Sequence, residues 1–237
     1  YEDSIARYDN LLICWAVTFF MFVGGIGFSV IIYFASGHIR KALQNTEFKV
    51  YAAILALSGI AVTIAVYASS DTSQPFFRTL TYGMFNTVSI MTTTGFMCDD
   101  YQKWLPMTHS IFFILMIIGG CSGSTSGGIK VSRLILSYGL CRNHIEKSFR
   151  PRVVRPVRIN GKIIDEDDAY EVLSYVTMFV LIVMVSILAI SFFETDLELS
   201  ESITAVISLI NNVGPGVDRI GPAENYGFMN GASKIFL

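Results

Sequence analysis

Charge is scarce in this chain of 237 residues, of which only 15% are Asp, Glu, Lys or Arg. An ordinary soluble domain carries about a quarter charged residues. Three runs have no formal charge at all, and they are Leu11–Phe34, Val50–Ser70 and Leu173–Phe193. Each run reaches the roughly 20 apolar residues that a helix needs to cross the hydrocarbon core of a bilayer. The missing charge therefore excludes a soluble globular domain and predicts an all-α polytopic membrane protein.

Cysteine and histidine are also rare, with four and three residues. Cys14, Cys98, Cys121 and Cys141 form no CxxC pair and have no metal-ligand spacing, so we expect them to be small buried hydrophobes. The three uncharged runs contain no carboxylate, which argues against a proton or sodium exchanger that works through a membrane acid. Phosphate-loop and dinucleotide fingerprints are incomplete, and we expect no covalent cofactor and no nucleic-acid partner.

Lysine and arginine are unevenly distributed along the chain. Of the 17 basic residues, 12 lie in residues 35–49 and 130–162. Short connections rich in Lys and Arg stay in the cytoplasm, so both connections are predicted to be cytoplasmic and the acidic or neutral ones to lie outside. The residues concerned are Arg40, Lys41, Lys49, Lys130, Arg133, Arg142, Lys147, Arg150, Arg152, Arg155, Arg158 and Lys162.

Two apolar segments, Phe76–Met91 and Leu197–Ile210, then have both ends outside, which predicts re-entrant half-helices. The residues at their ends align without a gap, SIMTTTGF with SLINNVGP, and this places Gly95 opposite Gly214. Non-helical backbone at membrane depth persists only where it is buried in protein or lines a water-filled cavity. Its carbonyl oxygens there can replace the hydration shell of a cation. The repeat therefore predicts a pore with cation-binding turns.

The segment Leu105–Ile118 is a further apolar stretch, and it runs directly into GGCSGSTSGG, Gly119–Gly128. So many glycines disfavour a continuous helix, because each costs about 1 kcal/mol relative to Ala. Two interpretations stay open: an intramembrane loop, or a helix-packing face of small residues. Lys130 either faces the permeation path or reaches the cytoplasmic headgroups.

Three motifs in order, TTTGF, GGCSGSTSGGIKVSR and NNVGPG, resemble the potassium-uptake subunits of the Trk/Ktr/HKT superfamily, and most closely the TrkH-type bacterial subunit. Members of that family have four repeats of outer span, re-entrant pore half-helix, filter turn and inner span around a central pore. The resemblance implies that this chain is a fragment. It would hold the inner span of an earlier repeat (1–34), a cytoplasmic linker (35–49), a complete repeat (50–141), a basic cytoplasmic linker (142–168) and a partial last repeat (169–237).

The resemblance also implies roles for individual residues. Backbone carbonyls of Thr93, Thr94, Asn212 and Val213 would bind K⁺, the transported ion. The implied filter comprises Thr93, Thr94, Gly95, Phe96, Asn212, Val213, Gly214 and Pro215. The implied gate comprises Gly119, Gly120, Cys121, Ser122, Gly123, Ser124, Thr125, Ser126, Gly127, Gly128 and Lys130.

The partners that the resemblance implies are membrane lipid, a second copy of the subunit and a cytosolic nucleotide-binding ring of the TrkA type. The expected location is the bacterial inner membrane, which the protein would cross several times. The ring would dock on the basic linker, although that linker could equally serve only to fix topology and contact anionic lipid. Two rival functions are a secondary transporter working by alternating access and a membrane-embedded enzyme. The first needs a mid-membrane charge and the second a catalytic constellation, and neither is evident in the sequence.

Overall fold

A computed structural model describes residues 4–8, 10–69, 75–150, 158–159, 162–163 and 166–236. Helices account for nearly all of its regular structure, which confirms the predicted all-α class. The helices are α1 (Leu11–Gly24), α2 (Phe28–Ala35), α3 (Ile39–Gln44), α4 (Thr46–Ala68), α5 (Phe76–Met91), α6 (Pro106–Ile117), α7 (Val131–Phe149), α8 (Glu166–Phe193), α9 (Leu199–Ile210) and α10 (Gly231–Phe236). Two short antiparallel strands, β1 (Arg158–Ile159) and β2 (Lys162–Ile163), lie within the basic linker.

Two helices in the described part of the chain are long and apolar enough to cross a membrane. Their apolar segments are Thr46–Ala68 in α4, with a mean hydropathy of 2.1, and Tyr170–Phe193 in α8, with 2.8. Helix α4 begins before the predicted Val50 because Asn45 caps it, its side chain accepting a hydrogen bond from the amide of Phe48 at 3.1 Å. A third crossing is present if α1 and α2 are counted as one broken span.

The uncharged run Leu11–Phe34 does not form the continuous span that its length predicts. Helices α1 and α2 meet at an angle of 111° across the GGIG sequence at residues 24–27. Close packing requires glycine there, because a side chain at Gly25 would collide with the hydroxyl of the buried Tyr51. The prediction of one straight helix was wrong, since a tertiary contact rather than hydropathy sets the conformation at this point.

The two predicted half-helices are present, as α5 and α9. Helix α5 has the predicted bounds Phe76–Met91 and packs chiefly along α4, with α1 and α6 on its other sides. Helix α9 begins at Leu199 instead of Leu197, because Glu198 and Glu201 form a reciprocal capping box at its start. It packs against α8 and α6, so α6 lies beside both half-helices.

Helices extend into the predicted basic linker from both sides. Helix α7 continues past residue 141 to Phe149, and an ion pair between Arg142 and Glu146 at 3.4 Å lies on this extension. Helix α8 already begins at Glu166. The central part of the linker, residues 151–157 with Arg152 and Arg155, lies outside the described residues.

Candidate functional site

The first polar turn, called here the TTTGF turn (residues 92–96), reverses the chain at the carboxyl end of α5. Thr93 and Gly95 both have positive φ, +54° and +74°. The returning chain is bound to its own helix, since the Ser89 hydroxyl donates to the Phe96 carbonyl at 2.6 Å. The Asn86 amide group likewise donates to the Asp99 carbonyl at 3.1 Å. The chain after α5 thus doubles back along the half-helix instead of continuing through.

The second polar turn, the NNVGP turn (residues 211–215), repeats this geometry at the end of α9. Asn212 and Gly214 have positive φ, +55° and +100°. The Ser208 hydroxyl donates to the Pro215 carbonyl at 2.7 Å, as Ser89 does to Phe96. Val213 donates its amide to the Ser208 carbonyl at 2.8 Å, and Thr94 makes the same bond to Ser89 at 2.9 Å. The alignment found in the sequence is therefore also a structural repeat.

The two turns lie directly against each other. A side chain at Gly95 would collide with the carbonyl oxygen of Val213 and would lie 3.3 Å from Cδ of Pro215. Gly95 thus satisfies two constraints, a positive φ and contact with a neighbouring backbone carbonyl. This contact shows that the structure brings the predicted residues Thr93–Phe96 and Asn212–Pro215 together.

The NNVGP turn has braces from tyrosine that the sequence analysis did not identify. The Tyr226 hydroxyl donates to the Gly214 carbonyl at 2.6 Å, and the Tyr101 hydroxyl donates to the carbonyl of Gly216, just after the turn, at 3.3 Å. The pKa of Tyr226 is raised to about 12, because burial raises it more than the hydrogen bond with Ser208 lowers it. The hydroxyl therefore keeps its proton at neutral pH. Tyr101 is 115 residues from its partner and Tyr226 is 12 residues from Gly214, and no local pattern marks either tyrosine.

Asp99 lies just beyond the TTTGF turn. The Trp104 indole donates to its carboxylate at 3.1 Å. Burial is the main influence on this group and raises the pKa of Asp99, while the hydrogen bond from Trp104 works in the opposite direction. The Asp99 carboxylate is therefore hydrogen-bonded to Trp104, three residues beyond the TTTGF turn.

The predicted gate residues form a loop, called here the glycine-rich loop (residues 119–130). Helix α6 ends at Ile117 and α7 begins at Val131, with no helix between them. Two backbone hydrogen bonds hold the ends of the loop together. The Gly119 amide donates to the Ile129 carbonyl, and the Ile129 amide donates to the Ile117 carbonyl, both at 2.9 Å. The alternative of a continuous helix-packing face is therefore wrong.

The glycine-rich loop contacts both polar turns. The amide of Gly127 donates to the hydroxyl of Thr93 at 2.8 Å. A side chain at Gly127 would collide with the carbonyl of Asn211. Loop, TTTGF turn and NNVGP turn thus converge at one point, and only glycine fits at position 127.

On its other side the loop pairs with the kink between α1 and α2. Cys121 donates its amide to the Gly25 carbonyl at 2.9 Å, and the Thr125 hydroxyl donates to the Gly24 carbonyl at 3.2 Å. The kink frees carbonyls that the loop amide and hydroxyl then satisfy. Sequence reasoning missed this role of residues 24–27, although three glycines in four residues were a visible signal.

Lys130 points back into the glycine-rich loop. Its ammonium group donates to the Ser124 carbonyl at 3.2 Å and also to the Ser126 carbonyl. The interpretation that Lys130 reaches the cytoplasmic headgroups is therefore wrong. Glu47, on the first turn of α4, also stabilises the loop, because its carboxylate accepts a hydrogen bond from the amide of Ser122 at 3.1 Å.

A cavity of about 400 Å³ lies between α1, the TTTGF turn and the glycine-rich loop. Its wall includes Met21 and Gly24 from α1, Thr94 and Phe96 from the turn, and Thr125 from the loop. The loop thus closes one side of a space that opens beside the turn.

The cysteines match the expectation of small buried side chains in part. Cys14 in α1 and Cys98, two residues after the TTTGF turn, form a disulfide. Cys121 is a buried free thiol as expected, whereas Cys141 on α7 is free and exposed. Cys14 and Cys98 are buried as predicted, but their disulfide was not foreseen, because they are far apart in sequence and meet only in the fold. The prediction was wrong for Cys141, which lies on the polar extension of α7.

These features define a class: a helical membrane protein with two half-length helices whose polar turns contact each other and a glycine-rich loop. The family model described as TrkH, cation transport protein, matches residues 1–235, and the chain belongs to this family. This confirms the resemblance seen in the sequence.

Among its relatives is the Trk system potassium uptake protein TrkI of Halomonas elongata, 32% identical over 224 residues that cover 94% of this chain and 44% of the relative. The Trk system potassium uptake protein TrkH of Salmonella typhimurium is 25% identical over 238 residues, 100% of this chain and 48% of the relative. The chain thus spans about half the length of the curated relatives it matches. These names describe transport proteins and not enzymes.

The fold matches that of a solved relative. The crystal structure of the potassium transporter TrkH from Vibrio parahaemolyticus aligns with a TM-score of 0.90 and 24% identity, covering 100% of this chain and 50% of that one. The order of half-helices and spans described above is therefore the TrkH fold.

Proposed function

We propose that this chain contributes half of a potassium-conducting pore in a Trk-type uptake protein. The observation that carries the proposal is the contact between two polar turns of matching geometry, with the Val213 carbonyl directly against Gly95. The names of the relatives, potassium uptake proteins, support K⁺ as the ion.

In this proposal, K⁺ is bound by backbone carbonyls of Thr93, Thr94, Asn212 and Val213, with Gly95, Phe96, Gly214 and Pro215 completing the two filter strands. Carbonyl oxygens suit a partly dehydrated cation. Helices α5 and α9 both end at these turns, so the negative ends of their dipoles favour a cation there. The remaining ligands would come from the other half of the full-length protein.

The glycine-rich loop, Gly119–Gly128 with Lys130, is proposed as the gate. It is supported in this role by its position, since it bonds to Thr93 on one side and to the α1–α2 kink on the other. Movement of the loop would open the cavity beside the TTTGF turn toward the cytoplasm.

The setting of the pore is proposed to be the bacterial inner membrane, in contact with lipid, as a homodimer regulated by a TrkA-type nucleotide-binding ring. Exposed basic residues on the extension of α7, Arg142 and Lys147, support a cytoplasmic basic surface. Anionic lipid headgroups would suit the same charges equally well.

Uptake of ⁸⁶Rb⁺ into liposomes by the full-length protein tests the function, with Na⁺ as competitor. Gly95→Ser introduces a side chain against the Val213 carbonyl, and we expect it to abolish or greatly reduce discrimination between Rb⁺ and Na⁺. Gly37→Ser is the matched control, because Gly37 has nearly the same φ, +75°, but open space around it and lies in the α2–α3 turn.

Equal discrimination between Rb⁺ and Na⁺ in the two variants would show that Gly95 is not part of the filter. Uptake that saturates with another solute and ignores K⁺ would favour alternating access over a pore. Wild-type liposomes that take up neither ion would contradict the proposal as a whole.

A further inference from the structure

The chain immediately after the TTTGF turn is tied to the preceding repeat. Cys98 forms a disulfide with Cys14, which lies near the start of α1, 84 residues earlier. Both cysteines are buried, with 5% and 2% of their surface exposed. A covalent bond thus joins the outer end of this turn to a helix of the neighbouring repeat.

Hydrogen bonds reinforce the same connection. Met97, between Phe96 and Cys98, donates its amide to the Ser4 hydroxyl at 3.2 Å. Its carbonyl accepts the amides of Ile5 and Ala6, at 3.0 and 3.2 Å. Residues 4–6 belong to a short 3₁₀ helix, Ser4–Tyr8, that precedes α1 in the sequence. The disulfide and these hydrogen bonds therefore both tie the turn to the first part of the chain.

The NNVGP turn has the corresponding tie without a covalent bond. In the alignment of the two turns Gly216 stands opposite Met97, and its carbonyl accepts the Tyr101 hydroxyl at 3.3 Å. The Gln102 side chain donates to the Asp218 carbonyl at 2.7 Å. Val217 stands opposite Cys98, so the second turn has no cysteine at the matching position. Both turns are anchored to the repeat before them, and only the first anchor is a cross-link.

We propose that the Cys14–Cys98 disulfide is a structural cross-link that positions the TTTGF turn and thereby determines ion selectivity. The inference rests on the proposed filter function of that turn. Only Met97 separates Phe96 from the cross-linked Cys98, so movement of Cys98 shifts the carbonyls of the turn. Besides the disulfide, Cys98 packs in the hydrophobic core and donates its amide to the side-chain oxygen of Asn86 at 3.4 Å.

The chemistry fits the outer compartment, where disulfides form and persist. The two thiols exchange with the disulfide of a periplasmic thiol oxidant. One sulfur–sulfur bond forms in the chain, and the oxidant leaves as a dithiol that carries the two electrons and two protons.

Peptide mass spectrometry of the full-length protein tests the bond itself. The protein is alkylated with iodoacetamide under denaturing conditions before and after reduction, and digested. We expect a peptide pair joined through Cys14 and Cys98 before reduction, and alkylation of both cysteines only after it. Cys141 serves as the internal control, because its exposed thiol should be alkylated in both samples. Alkylation of Cys14 and Cys98 without reduction would overturn the proposal, whatever the transport result.

Competition by Na⁺ against ⁸⁶Rb⁺ uptake in liposomes tests the role of the bond. We expect Cys14→Ser, Cys98→Ser and the double variant each to lower the ratio of Rb⁺ to Na⁺ affinity about threefold or more. The three losses should be equal, because each variant breaks the same bond. Cys141→Ser should match the wild type. Unchanged competition in the double variant would overturn the proposed role.

A second measurement covers variants that fail to fold. Wild-type protein is treated with a phosphine reductant, which takes oxygen from water to become the phosphine oxide while the disulfide becomes two thiols. Reduced wild type, verified by mass, should show the same loss of selectivity, and unaltered selectivity counts against the cross-link. Wild-type liposomes without Rb⁺ uptake would contradict the pore function and leave the mass-spectrometric result standing.

Discussion

Thr93 has a backbone conformation that β-branched residues rarely adopt, with φ of +54°. Such a conformation costs about 1–3 kcal/mol and persists where the surroundings require it. Here the hydroxyl of Thr93 accepts the amide of Gly127, a contact that a glycine could not make. Asn212 stands at the matching position with φ of +55°, and Asn tolerates this region well. Strain at Thr93 thus coincides with the junction of turn and loop.

Replacement of Thr93 by valine should weaken that junction. Thr93→Val keeps the shape but removes the acceptor, and an amide left without its partner costs about 1–3 kcal/mol. We expect higher basal ⁸⁶Rb⁺ flux from the full-length protein in the absence of its regulatory ring. Thr93→Ser retains the hydroxyl and should behave as the wild type. Equal basal flux in the two variants would argue against the hydrogen bond as a closing contact.

Tyr226 offers a second test with a single atom removed. Tyr226→Phe deletes the hydroxyl that donates to the Gly214 carbonyl, a bond with a net contribution of about 1 kcal/mol. We expect a lower thermal midpoint in detergent together with altered Na⁺ competition against ⁸⁶Rb⁺. Tyr138→Phe, at an exposed position on α7, is the control and should change neither. A stability loss without any change in competition would limit Tyr226 to a structural role.

At the scale of elements, the half-helices were predictable from hydropathy and the broken span was not. Helices α5 and α9 are short apolar segments that end at polar residues, and both properties are local. The α1–α2 kink depends on Tyr51 packing against Gly25 and on loop donors that reach the Gly24 and Gly25 carbonyls. These contacts involve residues far along the chain, and the hydropathy of Leu11–Phe34 contains no trace of them.

The fit of the glycine-rich loop under the turns depends on position 127. A methyl group at Gly127 would collide with the Asn211 carbonyl, so Gly127→Ala should displace the loop and raise basal ⁸⁶Rb⁺ flux. Gly231→Ala is the matched control, because it has open space around it and lies at the start of α10. Basal flux as low in Gly127→Ala as in Gly231→Ala would mean that the loop does not restrict the pathway.

At the scale of the whole molecule, the charge pattern predicts that the extension of α7 is cytoplasmic. Cys141 is free and exposed there. A membrane-impermeant maleimide should therefore label it in inside-out vesicles and leave it unlabelled in intact spheroplasts. Glu224→Cys, at an exposed position between the NNVGP turn and α10, should show the opposite pattern. Labelling of Cys141 in intact spheroplasts would show that the predicted topology is inverted.

The site as a whole was predictable only in part. The motifs located both turns and the loop, because their residues are contiguous. The contacts that hold the turns in place could not be found this way, since Tyr101 lies 115 residues from Gly216, Cys14 lies 84 residues from Cys98, and Tyr226 lies 12 residues from Gly214. A linear pattern records which residues form a turn, and it does not record what holds that turn in place.

The hydrogen bonds that the glycine-rich loop donates to the α1–α2 kink have a consequence for the proposed gate. If the loop withdraws, the Gly24 and Gly25 carbonyls and the Cys121 amide lose their partners together. Bare peptide groups at membrane depth are costly unless solvent reaches them. If the loop is the proposed gate, its opening would therefore admit water to the kink itself, and in the conducting state water would reach the wall of the pathway.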